Sequence, residues 1–90
     1  MKREIIKITC KNWTRITLFI DEKGELMCQL LDKKNEETYL NKRQFKEYFD
    51  TLEDENVKYR ILIELDEHKK EIDECIELLR DIRHSKETMR

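Results

Sequence analysis

Apolar and polar residues alternate through the first forty residues of the chain, which is the pattern of strands with one buried face. Ile6 and Ile8 alternate with lysine and threonine, and runs with the same period cover residues 14–20 and 26–31. A short fourth run lies at 38–40. Because short polar segments separate these runs, the pattern predicts an antiparallel meander of three or four strands.

The length of each turn follows from the need to keep the apolar positions on one face of the sheet. A three-residue turn around Asn12 sets Ile8 opposite Ile16, and Asn12 tolerates the positive φ that such a turn needs. A five-residue turn over 21–25 keeps the apolar positions of the next strand on the same face of the sheet. It also places Gly24 where positive φ is required. The turns therefore predict the register of the first three strands.

The period changes to that of a helix after the fourth run. Asn41 and Gln44 have the spacing of a capping box, in which each side chain bonds the other residue's backbone N–H. A single apolar stripe follows at helical spacing, formed by Phe45, Tyr48, Phe49 and Leu52. The sequence therefore predicts a short helix within residues 41–54.

Residues 56–86 carry apolar positions in alternating steps of four and three, which is a heptad seam. Acidic residues precede this segment and basic residues close it, as the helix dipole favours. We therefore expect one long C-terminal helix over 56–86. The alternative is a fifth strand at 57–65 followed by a helix from Asp66, because residues 57–65 also alternate. In either case residues 1–90 form one α+β domain.

The second half of a long helix would extend beyond the sheet and the short helix, so its apolar stripe would be uncovered. An exposed stripe of this size predicts a second chain, in a homodimer through residues 65–86 or as a docked partner helix. The residues of this expected interface are Leu65, His68, Ile72, Cys75, Ile76, Leu79 and Ile82.

Composition restricts the chemistry of the chain. The 90 residues include one glycine and no proline, which excludes a glycine-rich phosphate loop. His68 and Cys75 are two helical turns apart, too far to share one metal ion on one helix. Because the sequence contains no nucleophile with a base nearby, we expect a protein that is not an enzyme, with no cofactor, metal or small-molecule substrate.

The expected location is the cytoplasm. No apolar run approaches the roughly 20 residues that span a membrane, and the first residues lack the pattern of a signal peptide. Cys10, Cys28 and Cys75 are an odd number without metal-type spacing, so we expect reduced thiols. The abundance of lysine, glutamate and isoleucine suggests an AT-rich genome, and an accessory protein of a phage or mobile element acting in its host's cytoplasm.

The far face of the predicted sheet mixes basic and aromatic side chains. Residues 1–20 hold five basic residues and one acidic residue, the only basic bias in a chain of net charge −2. On an open sheet, aromatic rings stack on unpaired bases, and lysine or arginine holds phosphates. The residues expected on this nucleic-acid face are Lys7, Trp13, Arg15, Phe19 and Tyr39.

The strand meander followed by Thr38-Tyr39-Leu40-Asn41 and the segment Arg43-Gln44-Phe45-Lys46-Glu47-Tyr48-Phe49 resembles the whirly-type, transcriptional-coactivator family of single-stranded-DNA binders. The resemblance covers residues 4–52. It implies four strands that lead into a capped helix, and a sheet that binds single-stranded DNA. The long C-terminal helix and the acidic turn residues depart from that family.

Two functions follow from the sequence as hypotheses. The first is a small protein-binding regulator or inhibitor that acts through protein–protein contacts, because the chain has a mixed-charge surface and a surplus apolar stripe. The alternative is a single-stranded nucleic-acid-binding module that uses the aromatic and basic face of the sheet.

Overall fold

Four strands form one antiparallel sheet in chain order, in a computed structural model that describes residues 2–88, with side chains described through His84. The strands are β1 (Arg3–Thr9), β2 (Arg15–Ile20), β3 (Leu26–Leu31) and β4 (Glu37–Leu40). The helices are α1 (Lys42–Thr51), α2 (Glu55–His68) and α3 (Asp73–Thr88). The α+β class and the antiparallel meander are confirmed.

The predicted register is also confirmed, because Ile8 lies opposite Ile16 and Leu18 lies opposite Cys28. The residue with positive φ in the first turn differs from the prediction. Trp13, not Asn12, has φ 69°. A three-residue hairpin loop is a type I turn followed by one left-handed residue, so the third loop position takes the positive φ.

The same turn geometry recurs in the other two hairpins. Gly24 has φ 82° and Asn35 has φ 65°, and each N–H donates to the carbonyl of the aspartate three residues earlier. Glycine and asparagine adopt this conformation readily, whereas tryptophan carries a steric cost there. Trp13 is therefore the unusual residue of the three.

The helices described by the structure lie on one face of the sheet. Helix α1 packs on β3 and β4, α2 packs on β1, and α3 packs on the other two helices. The Asn41–Gln44 capping box is present, and the Asp54 side chain accepts the Asn56 and Val57 N–H groups that begin α2. The centre of the core is fully buried, and includes Ile16, Leu18, Cys28, Phe45, Phe49, Ile61, Leu65, Cys75 and Leu78.

The single long helix expected over 56–86 is wrong, and so is the alternative strand at 57–65. The segment is helical on both sides of a turn at 69–72, and α2 packs against α3. The Lys69 N–H donates to the Leu65 carbonyl at 3.0 Å, and the Ile72 N–H donates to the His68 carbonyl at 2.9 Å. The turn thus satisfies these backbone groups as the helix ends.

The fold-back has a physical reason in the burial that it allows. Ile61 and Leu65 from α2 and Cys75 and Leu78 from α3 are each 0% exposed, in one core. Burying one isoleucine or leucine side chain is worth about 1.5–3 kcal/mol. A helical hydrogen bond contributes only about 1 kcal/mol. Burial therefore outweighs the few helical hydrogen bonds that the turn interrupts.

The expected dimer stripe is consequently no open surface. Leu65, Ile72, Cys75, Leu79 and Ile82 are buried within the chain itself. His68 is half-buried, and Ile76 on α3 is 37% exposed. The prediction of a second chain assumed one continuous helix. Because the α2–α3 turn folds α3 back, these residues pack in the core of their own chain instead.

Candidate nucleic-acid interface

We define the outer face of the sheet as the face turned away from the three helices. Of the residues predicted for the nucleic-acid face, this outer face carries Lys7, Arg15, Phe19 and Tyr39. Lys7, Thr17, Gln29 and Tyr39 lie opposite one another across all four strands. Three strand spacings of about 4.8 Å give this row a length of about 14 Å. Lys7 and Tyr39 are exposed at its two ends. The row is therefore accessible at its two ends, with a cation at one and an aromatic ring at the other, whereas Thr17 between them is 4% exposed.

A β-bulge at Ile5, which the sequence pattern did not reveal, places a further cation on this face. Pairing passes from Glu4–Phe19 to Ile6–Leu18, so Ile5 has no partner. The extra residue reverses the alternation for the first residues of the strand. Lys2 consequently lies on the outer face together with Glu4.

Phe19 lies on the predicted face but forms its floor. It is 4% exposed, and its ring meets the Tyr39 ring edge-on with the centroids 6.3 Å apart. The Lys2 Nζ lies 5.0 Å from the Phe19 centroid and 5.4 Å from that of Tyr39, within cation–π range. Phe19 is therefore unavailable for stacking, and Tyr39, which is 45% exposed, presents the ring above it.

Hydrogen bonds fix the position of the Tyr39 ring. Gln29 Nε2 donates to the Tyr39 hydroxyl at 3.2 Å, and that hydroxyl donates to Glu37 at 3.4 Å. The ring is thus held by its edge contact with Phe19 and by its hydroxyl. An aromatic ring that is ordered before binding loses little conformational entropy when a planar group stacks on it.

Trp13 is the most exposed large hydrophobic residue described, at 71%. A bulky residue in the left-handed region costs about 1–2 kcal/mol. The turn hydrogen bond from the Trp13 N–H to the Cys10 carbonyl at 3.0 Å holds the loop in this conformation. A strained and exposed aromatic residue is an observation that points to function, since it contributes no burial to the fold.

A cleft of about 330 Å³ lies beside Trp13. It is lined by Trp13, Arg15, Leu31, Asp32, Lys33 and Asn35. Arg15 and Leu31 face each other across β2 and β3. The cleft thus combines an indole, an aliphatic side chain and two cations, the groups that hold a flat base and a phosphate. It also contains the Asp32 carboxylate, whose Oδ1 accepts the Lys34 and Glu36 N–H groups within the turn.

The sequence reasoning missed the contribution of the β3–β4 turn to this cleft. In an antiparallel meander, alternate turns lie at the same end of the sheet, so the turns containing Trp13 and Asn35 are neighbours. That signal was present in the strand order. The β3–β4 turn adds Lys33 and Lys34 to the end of the sheet that holds Lys11 and Arg15. Lys33 and Lys34 were not among the predicted residues.

Charge differs between the turns at the two ends of the sheet. At the Trp13 end the β1–β2 and β3–β4 turns carry Lys11, Lys33 and Lys34 against two acids, and Arg15 is adjacent. The β2–β3 turn at the opposite end has three acids and one lysine over 21–25. The turns at the Trp13 end are therefore less acidic than the β2–β3 turn. Glu37 adjoins these turns and Asp54 lies near Cys10, whereas Lys2 and Arg3 lie at the opposite end.

Cys10, Cys28 and Cys75 are free thiols. Burial raises the pKa of Cys28 to about 12 and that of Cys75 to about 11. Burial and the nearby Asp54 carboxylate raise the pKa of Cys10. Because the thiolate is the reactive form, these cysteines are poor nucleophiles at neutral pH.

None of the helices within residues 2–88 has the length and apolar character needed to cross a bilayer. In the same residues, His, Cys, Asp and Glu side chains form no group of three or more that could hold a metal ion.

Comparison of the whole chain with protein-family models, with curated proteins and with solved structures gives no match.

Proposed function

We propose that this chain is a non-catalytic module that binds single-stranded nucleic acid on the outer face of its sheet. The observation that carries the proposal is Trp13, an exposed and strained indole next to Arg15 in a cleft formed by the β1–β2 and β3–β4 turns. In a single strand the bases are free to stack, which a duplex prevents.

The binding mode follows from the positions of the side chains. One base stacks on Trp13 within the cleft, and a second base stacks on Tyr39. Arg15, Lys33 and Lys7 bind phosphates between and beside them. Because only about three phosphates are neutralised, affinity falls with added salt with a slope of about −2 in log–log form.

The first test is a titration of Trp13 fluorescence with a mixed-sequence single-stranded DNA of about 10 to 20 nucleotides. We expect a saturable change at micromolar DNA that added salt reverses, because three phosphate contacts give weak, salt-sensitive affinity. RNA of the same sequence and the matching duplex show whether the unpaired state is required. If no saturable change occurs at low salt with DNA or RNA, the proposal is wrong.

Three variants assign the site when binding is followed by the anisotropy of a labelled oligonucleotide. Arg15→Glu and Lys33→Glu are expected to lower affinity about tenfold or more, because each reverses a charge beside a phosphate. Lys23→Glu makes the same charge change at the opposite end of the sheet and is the matched control. Equal effects of all three would mean that only net charge matters.

Trp13→Gly separates binding from stability. Loss of one stacked base costs about 1–3 kcal/mol of binding energy. The same substitution relieves left-handed strain of about 1–2 kcal/mol, offset by the chain entropy of glycine. We therefore expect lost binding in a protein that is at least as stable as Trp13→Ala. If Trp13→Gly is less stable than Trp13→Ala, the indole has no strain to relieve.

We propose the protein-binding regulator as a second candidate function. The observation that favours it is Ile76, an apolar side chain 37% exposed on α3 among charged residues. The experiment is affinity capture from the source cell. A partner that is lost with Ile76→Asp and retained with Trp13→Ala supports this candidate, whereas a partner insensitive to Ile76→Asp contradicts it.

A further inference from the structure

Helix α2 has a second apolar surface that faces away from the core. Val57, Ile61 and Leu65 form its buried side. Tyr59 and Ile63, four residues apart, are 67% and 40% exposed. Residues at this spacing lie on one face of a helix. The exposed face of α2 is therefore apolar along at least one turn.

This face borders a shallow groove of about 440 Å³. The groove is lined by Tyr59, Leu62, Ile63, Asp66, Glu67 and Arg83. At the C-terminal end of α2 its aliphatic centre is thus flanked by Asp66 and Glu67, and Arg83 of α3 lies 4.0 Å from Asp66. Arg60 lies at the N-terminal end, next to Tyr59.

We propose that a second copy of this chain packs on this groove, with the two α2 helices antiparallel and Ile63 at the two-fold axis. Arg60 and Glu67 are seven residues apart, so they lie on the same side of the helix after two turns. In an antiparallel pair, Arg60 of each copy faces Glu67 of the other. The same spacing brings Tyr59 of each copy to Asp66 of the other.

The charge pattern identifies the second copy as the occupant. Arg60 with Glu67 and Tyr59 with Asp66 each join a donor on one half of α2 to a carboxylate on the other half. Such a helix is complementary to itself when one copy is reversed, as an isologous interface requires. A partner of uniform charge would meet a like charge at one end of the groove.

The interactions that these side chains make within one chain do not prevent the pairing. Arg60 Nε lies 3.4 Å from Glu64, and Asp66 lies 2.8 Å from Lys69 Nζ. The Asp66–Lys69 pair is exposed, contributes little to stability and can rearrange. The Glu64 side chain is only 28% exposed, but Arg60 contacts it through Nε, and the other N–H groups of the guanidinium can bind Glu67 of the second copy. The contact area of one helix pair is below the roughly 800 Å² per partner of a stable complex, so the dimer forms reversibly at high concentration.

Association through α2 leaves both sheets free. The helices of the two copies would be in contact, and the outer faces of the two sheets would point away from each other. The dimer therefore goes beyond the proposed nucleic-acid function without depending on it.

Sedimentation equilibrium over about 5 to 500 µM protein tests the inference, without any nucleic acid present. We expect the mass to rise from one chain towards two. Arg60→Glu and Glu67→Arg are each expected to keep the mass of one chain, because each places like charges opposite one another twice. An equimolar mixture of the two variants is expected to recover the heavier species, since opposite charges then face each other at both contacts.

Arg43→Glu and Glu47→Arg make the same charge changes on α1 and are the matched controls. Both are expected to associate like the unmodified protein. One chain at every concentration, or a dimer that persists in Arg60→Glu, would overturn the inference. Far-UV circular dichroism of each variant shows that it is folded, and the oligonucleotide titration is scored separately, so the two proposals fail independently.

Discussion

Replacing Phe49 with alanine is expected to lower the free energy of unfolding by about 3–5 kcal/mol. Phe49 is 0% exposed, and its ring packs against Phe45 with the centroids 6.3 Å apart. The Lys58 Nζ lies 5.2 Å from the Phe49 centroid. The substitution therefore removes a large buried ring and leaves a cavity that close-packed neighbours fill only in part.

Urea denaturation followed by far-UV circular dichroism measures this loss. A domain of this size has about 5–13 kcal/mol of stability, so the variant is expected to be marginal at 37 °C. Tyr59→Ala removes an exposed ring and is expected to change stability by less than about 0.5 kcal/mol in dilute solution. A loss below about 1 kcal/mol for Phe49→Ala would contradict the position of Phe49 in the core.

Replacing Glu74 with alanine is expected to cost about 1–3 kcal/mol, more than most single contacts outside the apolar core. Glu74 connects three parts of the fold. It accepts the Leu26 N–H at the start of β3 at 3.1 Å and a hydrogen bond from Lys42 Nζ of α1 at 2.8 Å. Alanine leaves both donors without this acceptor, and Glu77 alone remains as the partner of Lys42.

The same contacts predict a dependence on pH. Burial acts to raise the pKa of Glu74, but the hydrogen bonds from Lys42 and the Leu26 N–H outweigh it and hold the pKa below its usual value. A carboxylate with a lowered pKa stabilises the fold above the pKa of the unfolded chain, and that contribution is lost as pH falls through the folded value. The unmodified protein should therefore lose more stability below about pH 4.5 than Glu74→Gln does.

Glu71→Ala is the matched control for Glu74→Ala. Glu71 pairs with Arg3 at 3.1 Å, but the two side chains are 67% and 58% exposed. Solvent screens such a pair, so its loss should cost less than about 1 kcal/mol. Equal costs for the two variants would mean that the Glu74 contacts add nothing beyond a surface ion pair.

The sequence by itself determined the local structure. Alternation and turn length set the pairing of Ile8 with Ile16, because a shift of one residue would exchange the buried and exposed faces. The Asn41–Gln44 capping box fixed the start of α1, since both partners lie within four residues. These features depend on neighbours in the chain, which the sequence displays directly.

Only the tertiary structure decided where the helical stripe after residue 56 is buried. No glycine or proline marks the turn at 69–72, because the gain from folding α3 back onto the core belongs to contacts between distant residues. The tertiary structure also decided the bulge at Ile5 and the left-handed conformation of Trp13. Strand pairing imposes the bulge, and hairpin geometry imposes the positive φ of Trp13. The candidate cleft depends on this too, because it joins two turns that are neighbours only when the sheet has formed.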